Sequence, residues 1–120
     1  MSYDKNNIFA KILRGEISCK KIYENDFVLS FHDINPQKKV HALVIPKGPY
    51  KDLDNFLKDA KEKEIVEFFK AIAHVAEILK ISSLEDGYRT LSNISTNGGQ
   101  EVPHLHFHIF GGEKVGKMVS

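Results

Sequence analysis

Three histidines stand at alternate positions in His104-Leu105-His106-Phe107-His108-Ile109-Phe110, half of the chain's 6 histidines within five residues. Successive side chains of a β-strand point to opposite faces. A strand over His104–Phe110 therefore sends all three imidazoles to one side and Leu105, Phe107 and Ile109 to the other. The apolar side can anchor in a core while the imidazoles converge on one small volume. Two kinds of chemistry suit that arrangement. Imidazoles at i and i+2 can present two or three nitrogens to zinc. Alternatively, one imidazole attacks an electrophile while its neighbours supply protons or hydrogen bonds. The bland alternative is a strand whose polar face happens to be histidine. It is costly, because partly buried imidazoles need partners and repel one another when charged.

Two features favour the nucleophile. The turn Asn97-Gly98-Gly99-Gln100, just upstream, can offer backbone N–H groups to an anion such as phosphate. Imidazole, with an unperturbed pKa of about 6.5, is largely neutral and able to attack phosphorus near pH 7. A phosphoryl or nucleotidyl transfer through a covalent histidine is thus coherent. It needs no metal and no cofactor if the site's own cations offset the phosphate charge.

The remaining composition bounds the setting. A chain of 120 residues is read as one domain over 1–120, long enough to bury a core without staples. Lys+Arg 17 against Asp+Glu 16 gives a net charge of +1, so no bulk field favours nucleic acid or an anionic membrane. The start Met1-Ser2-Tyr3-Asp4-Lys5 has no secretory pattern, and no apolar run approaches the ~20 residues of a membrane span. Cys19 is the single cysteine, which rules out an internal disulfide and fits a reducing compartment. A cytoplasmic protein is expected.

The elements that must carry the histidines follow from periodicity. Ile8, Phe9, Ile12 and Leu13 predict a short helix over 7–14, stopped at Gly15. Lys20–Glu24 and Phe27–His32, joined at Asn25-Asp26, predict a hairpin. Asp33-Ile34-Asn35-Pro36 reads as a turn. His41–Pro46 is apolar on both faces and so central. Asp59 and Glu62 resemble a capping box before a helix reaching about Ile81, its stripe made by Ile65, Phe68, Phe69, Ile72, Ala76 and Leu79. His74 lies off that stripe and is read as a partly exposed helix residue. Gly87–Asn93 and His104–Phe110 complete five strands. The expected fold is α+β, a mostly antiparallel five-stranded sheet with one short N-terminal helix and one long helix.

The triad followed by Gly111-Gly112 resembles the signature of the histidine triad (HIT) superfamily, and the Gly-Gly is similar to its Hint branch of nucleoside phosphoramidases. Ile8–Ile12, Phe31–Pro36, His41–Lys47, Gly87–Arg89 and Asn97–Val102 resemble Hint segments in the same order, from about Tyr3 to Gly112. The resemblance implies that His106 attacks the α-phosphorus of a purine nucleoside 5′-phosphoramidate and carries the nucleotidyl group. It implies that His108 hydrogen-bonds the α-phosphate and assists the leaving group, and that His104 and His41 orient His106 and handle its proton. Asp33 would accept from the ribose hydroxyls. Phe9, Ile12, Ile17, Phe31 and Ile34 would wall the purine. Asn93, Gly99, Gln100 and Glu101 would surround the phosphate and leaving group.

On residue pattern alone, Asp33 is equally a turn former, Asn93 a strand-end cap, and Phe9, Ile12, Phe31 and Ile34 core. Glu101 stands where animal members of the family carry a serine; a carboxylate would accept from an amine or repel a phosphate leaving group. Lys47-Gly48-Pro49 replaces a frequent Lys-x-His, and the aromatic tail of animal members is absent. Cys19 alone does not supply the cysteine zinc site of some relatives. The resemblance also implies a homodimer through the long helix and an edge strand. Competing functions are hydrolysis of dinucleoside polyphosphates, as in the Fhit branch, a nucleotide-binding regulatory module with little turnover, and a His₃ metal protein.

Overall fold

The computed structural model describes residues Tyr3–Met118. Its elements are α1 (Ile8–Leu13), β1 (Lys21–Glu24), β2 (Val28–His32), β3 (Val40–Pro46), α2 (Leu53–Asp59), α3 (Glu62–Ile78), β4 (Arg89–Leu91), α4 (Ser95–Gly98) and β5 (Phe107–Gly111). The strands form an antiparallel sheet ordered β1-β2-β3-β5-β4, so the continuous apolar run of β3 lies in its middle as its composition demands. The α+β architecture agrees with the sequence reading. No helix among the described residues is long and apolar enough to cross a membrane.

Strand alternation divides the molecule into two faces. Ala42, Val44, Leu105 and Ile109 join Phe56, Phe68, Ile72 and Val75 in one buried cluster beneath α3. On the opposite face Leu29, Phe31, Leu43 and Ile45 form a smaller cluster with Phe9 of α1. Leu43 pairs directly with His108 and His41 with Phe110 across β3 and β5, and directly opposed residues share a face. The histidines therefore look toward α1, and the residues between them look toward α3.

Several boundaries differ from the sequence reading. The hairpin connection is Asn25–Phe27, where the Asn25 side chain accepts from the N–H groups of Phe27 and Val28. A separate helix, α2, precedes α3, and Asp52 caps it by accepting from Asn55 N–H at 2.8 Å. Asp59 closes α2 and does not start the long helix. The backbone at Ala60 turns extended (ψ 156°), and the long helix begins after Lys61, whose N–H donates to Glu64 at 3.1 Å. That helix ends at Ile78, and His74 on it is exposed with its ring against Tyr23. Ladder pairing shortens the fourth strand to three residues.

The triad strand is also shorter than expected. Its ladder starts at Phe107, so only His108 of the three histidines lies in regular pairing. His104–His106 nevertheless keep the alternation: Leu105 is buried under α3 while His104 and His106 are buried toward α1. After the strand, Gly111 and Gly112 have separate reasons for being glycine. A Cβ on Gly111 would come within 2.8 Å of Ile81 Cδ1, and Gly112 sits at φ +77° with Val40 pressed against it.

Candidate active site

A cavity of about 500 Å³ opens on the α1 face, with His106 and His108 in its wall. Hydrogen-bond partners that only donate or only accept assign the ring tautomers there. His106 Nδ1 lies 2.8 Å from the backbone carbonyl of His104, which only accepts. Nδ1 therefore carries the proton, and Nε2 keeps its lone pair. Burial holds the His106 pKa below its ordinary value, partly offset by that carbonyl and by the charges of Asp33 and Glu101. His106 is a neutral, oriented imidazole at the edge of a cavity.

A second chain of contacts fixes His108. Gln37 N–H donates to His41 Nδ1 at 3.0 Å, so His41 bears its proton on Nε2. That proton is donated to His108 Nδ1 at 2.9 Å. His108 then holds its own proton on Nε2, where it can donate to an oxygen or nitrogen acceptor. Burial first, then the neighbouring histidines, bring the His108 pKa down to about 4. Burial also lowers that of His41, with Asp33 opposing.

His104 plays a different part from the one expected of it. It is fully buried behind the cavity wall and does not line it. Its Nε2 donates to the Pro46 carbonyl at 2.9 Å, and its Nδ1 accepts from the Tyr3 hydroxyl at 2.5 Å. Burial drives its pKa to about 4. With both nitrogens engaged, this imidazole is not placed to handle a proton from His106; the backbone carbonyl of His104 does the orienting. Tyr3, which the sequence reading left without a role, completes the pairing. A polar aromatic just before a capped helix was the only signal of it.

Asp33 forms the turn and also reaches the cavity. Oδ1 accepts from Asn35 N–H at 2.8 Å as a turn former, while Oδ2 stands 3.4 Å from His41 Nε2 and the residue lines the cavity. Phe9, Ile12, Ile17, Phe31 and Ile34 are brought to the same cavity, Phe9 and Phe31 as buried core and Ile34 at 89% exposure as rim. Asn93, Gly99 and Glu101 line it as well. Ser18, Cys19, His32, Gln37 and Val102 also line the cavity and were not anticipated, because nothing in their local spacing marks them.

Gln100 lies outside the lining. Its amide donates to the carbonyls of Lys51 and Val102 and its oxygen accepts from Ser95 N–H, so it braces the loop. The glycine-rich turn is likewise no open anion cradle. The N–H groups of Gly98, Gly99 and Gln100 donate to the carbonyls of Ile94, Thr96 and Ser95 within the turn itself. Nor does the lining contain a lysine or arginine, contrary to the expectation that cations of the site would offset a phosphate.

Both ring nitrogens of His104 are engaged, by Tyr3 and by the Pro46 carbonyl, so the three alternating imidazoles do not present free nitrogens to one point. Among the described residues, the group with suitable spacing is Asp33, His41 and His108, whose ligand atoms lie within 4.8 Å of one another. An ion there would displace the hydrogen bond between His41 and His108.

Residues 14–115 match the model of the HIT domain. An uncharacterized HIT-like protein of Azospirillum brasilense is 52% identical over 119 residues, 99% of this chain and 96% of that protein. The purine nucleoside phosphoramidase of Escherichia coli is 37% identical over 116 residues, 97% of this chain and 95% of that protein. A solved structure of a HIT-like protein superposes with a TM-score of 0.79 at 47% identity, covering 89% of this chain and 99% of that one. On fold, triad geometry and these matches together, the chain belongs to the HIT-domain family.

Proposed function

We propose that this protein cleaves purine nucleoside 5′-phosphoramidates at the α-phosphorus through a nucleotidyl-His106 intermediate. The observation that carries this reading is the His106 ring, held by the His104 carbonyl with a lone pair on Nε2 beside a cavity of about 500 Å³. A cavity of that size suits a small ligand. The named activity of the E. coli relative supports the substrate class.

In the proposed reaction His106 Nε2 forms a bond to phosphorus as the bond from phosphorus to the amine breaks. The departing nitrogen takes the bonding pair and a proton from solvent at the open mouth, while His108 Nε2–H donates a hydrogen bond to the reacting group. Water then attacks the same phosphorus, gives a proton to solvent and returns His106 to its neutral form. The net change is one water consumed, one amine and one nucleoside monophosphate released. Asp33 Oδ2 is positioned to accept from a ribose hydroxyl, and the apolar walls around Phe9, Ile12 and Ile34 suit the flat face of a base.

The test is release of AMP from an adenosine 5′-phosphoramidate by wild type and His106→Ala, with a chelator present. The reading expects chelator-insensitive turnover that falls about 10⁴-fold or more in the variant. Turnover abolished by the chelator, or retained in the variant, contradicts it.

The dimer belongs to the same proposal. Val66 and Phe69 leave apolar surface exposed on α3 (48% and 39%), and the short strand β4 ends the sheet with one unpaired edge. Sedimentation should give twice the mass of one chain for the wild type and one chain's mass for Val66→Glu; a monomeric wild type refutes it.

A further inference from the structure

The bond that orients His106 is the last of a series. The carbonyl reached by its Nδ1–H belongs to the peptide group joining His104 to Leu105. A trans peptide group is planar and holds its N–H and C=O on opposite sides, so fixing one end fixes the other. Here the N–H end is held: Leu105 N–H donates to the Tyr50 carbonyl at 2.8 Å. That carbonyl belongs in turn to the peptide group joining Tyr50 to Lys51. Its own N–H, that of Lys51, donates to Asn55 Oδ1 at 2.7 Å.

The far end of the series is itself anchored. Asn55 lies in the first turn of α2, where its backbone N–H donates to the capping Asp52 at 2.8 Å. Its Nδ2 donates to Asp59 Oδ2 at 2.8 Å; a carboxylate only accepts, so the amide turns its oxygen to Lys51. Sheet pairing does not hold the 104–105 peptide, because the ladder of β5 begins only at Phe107. Two peptide groups ending on a helix side chain take its place.

We infer that Asn55 is a positioning residue for His106. Through two peptide groups, its side-chain oxygen fixes the carbonyl that holds Nδ1–H and leaves the Nε2 lone pair free. The dipoles run head to tail from Asn55 Oδ1 to His106 Nδ1–H, and hydrogen bonds aligned in this way strengthen one another. Asn55 is not in the cavity lining, so it acts only through these groups. Without its oxygen the 50–51 peptide is released at its N–H end, and the 104–105 peptide loses its fixed acceptor. A 104–105 peptide that rotates takes the carbonyl away from Nδ1 and lets the ring exchange tautomers. The orientation of the ring stands apart from the phosphoramidase reading; only its effect on turnover rests on that reading.

Nitrogen NMR of the imidazoles tests it, since protonated and unprotonated ring nitrogens are resolved from one another. In the wild type, His106 should show a protonated Nδ1 and an unprotonated Nε2, and the Lys51 and Leu105 amide protons should exchange slowly with solvent. Asn55→Ala should mix the two His106 tautomers and lower kcat for an adenosine 5′-phosphoramidate about tenfold, with KM changed by no more than about twofold. Asn55→Asp keeps an acceptor for Lys51 N–H and should retain the wild-type ring signals. An unchanged His106 tautomer in Asn55→Ala, or the same change in Asn55→Ala and Asn55→Asp, overturns the inference. So does free exchange of either amide in the wild type, a measurement that stands even if Asn55→Ala does not fold. A wild type without turnover overturns the phosphoramidase reading, while the ring signals still decide the role of Asn55.

Discussion

The two faces of the sheet are made by the same strands yet obey different rules. Toward α3, Ala42, Val44, Leu105 and Ile109 meet Phe56 and Phe68 in a cluster in which volume decides what fits. Toward α1, alternate residues of β3 and of the segment leading into β5 bury His41, His104 and His106, and there pairing decides. Each of these rings has a hydrogen-bond partner, and no buried side-chain nitrogen or oxygen among the described residues lacks one. A packed apolar face supplies rigidity to a polar face whose geometry would otherwise be costly to hold. Stability and chemistry are thereby assigned to opposite sides of single strands.

The sharpest way to break that division is on the apolar side. Phe68 is fully buried, touching the rings of Phe56 and Phe107. Phe68→Ala should lower unfolding free energy by about 3–5 kcal/mol in chemical denaturation. The molecules that remain folded should keep wild-type turnover within about twofold. A small stability loss with a large fall in kcat would show that the faces are not separable as described.

On the polar side the lever is pH. The His104 pKa is about 4 when folded, against an ordinary 6.5. Between those values the unfolded chain binds more protons, so stability is complete above pH 6.5 and is lost as pH falls toward 4. The loss from His104 is on the order of 3 kcal/mol, and His108 adds to it in the same window. Denaturation midpoints measured from pH 7.5 to 4 should drop accordingly, and a flat profile contradicts the neutral buried network. Because burial also lowers the His106 pKa, the acid limb of kcat/KM should lie below 6.5.

A smaller effect probes a single pairing. Tyr3→Phe removes the hydroxyl 2.5 Å from His104 Nδ1 and leaves a buried acceptor without a partner. The expected cost is about 1–3 kcal/mol, read by thermal or chemical unfolding. An unchanged midpoint would mean that Tyr3 does not satisfy this ring.

What the sequence made legible follows the same division. Alternation at Leu105, Phe107 and Ile109 correctly told which side of the triad faces the core, and the apolar run of β3 correctly placed it at the centre. Asp33, Phe9 and Ile34 were singled out through positional resemblance alone, and each lines the cavity. What stayed hidden depends on the backbone. That His106 is oriented by the carbonyl of residue 104, and not by its imidazole, has no signature in residue type. The amides of Gly98 and Gly99 look available in sequence but are consumed within their own turn. Asp59 was mistaken for a cap because the extended backbone at Ala60, which separates α2 from α3, is not written in local propensity. The true signal was nearby: Asp52 before Leu53, Phe56 and Leu57 has cap and stripe both.

The central claim is that His106 Nε2 makes a covalent bond to phosphorus. The most direct measurement is mass analysis of wild type and His106→Ala quenched during turnover of an adenosine 5′-phosphoramidate, followed by localisation of any adduct. The proposed reaction predicts one adenylyl group on the wild type, acid-labile and mapped to His106, and none on the variant. An adduct on another residue, or turnover with no adduct trapped under any quench that preserves a phosphorus–imidazole bond, would contradict it.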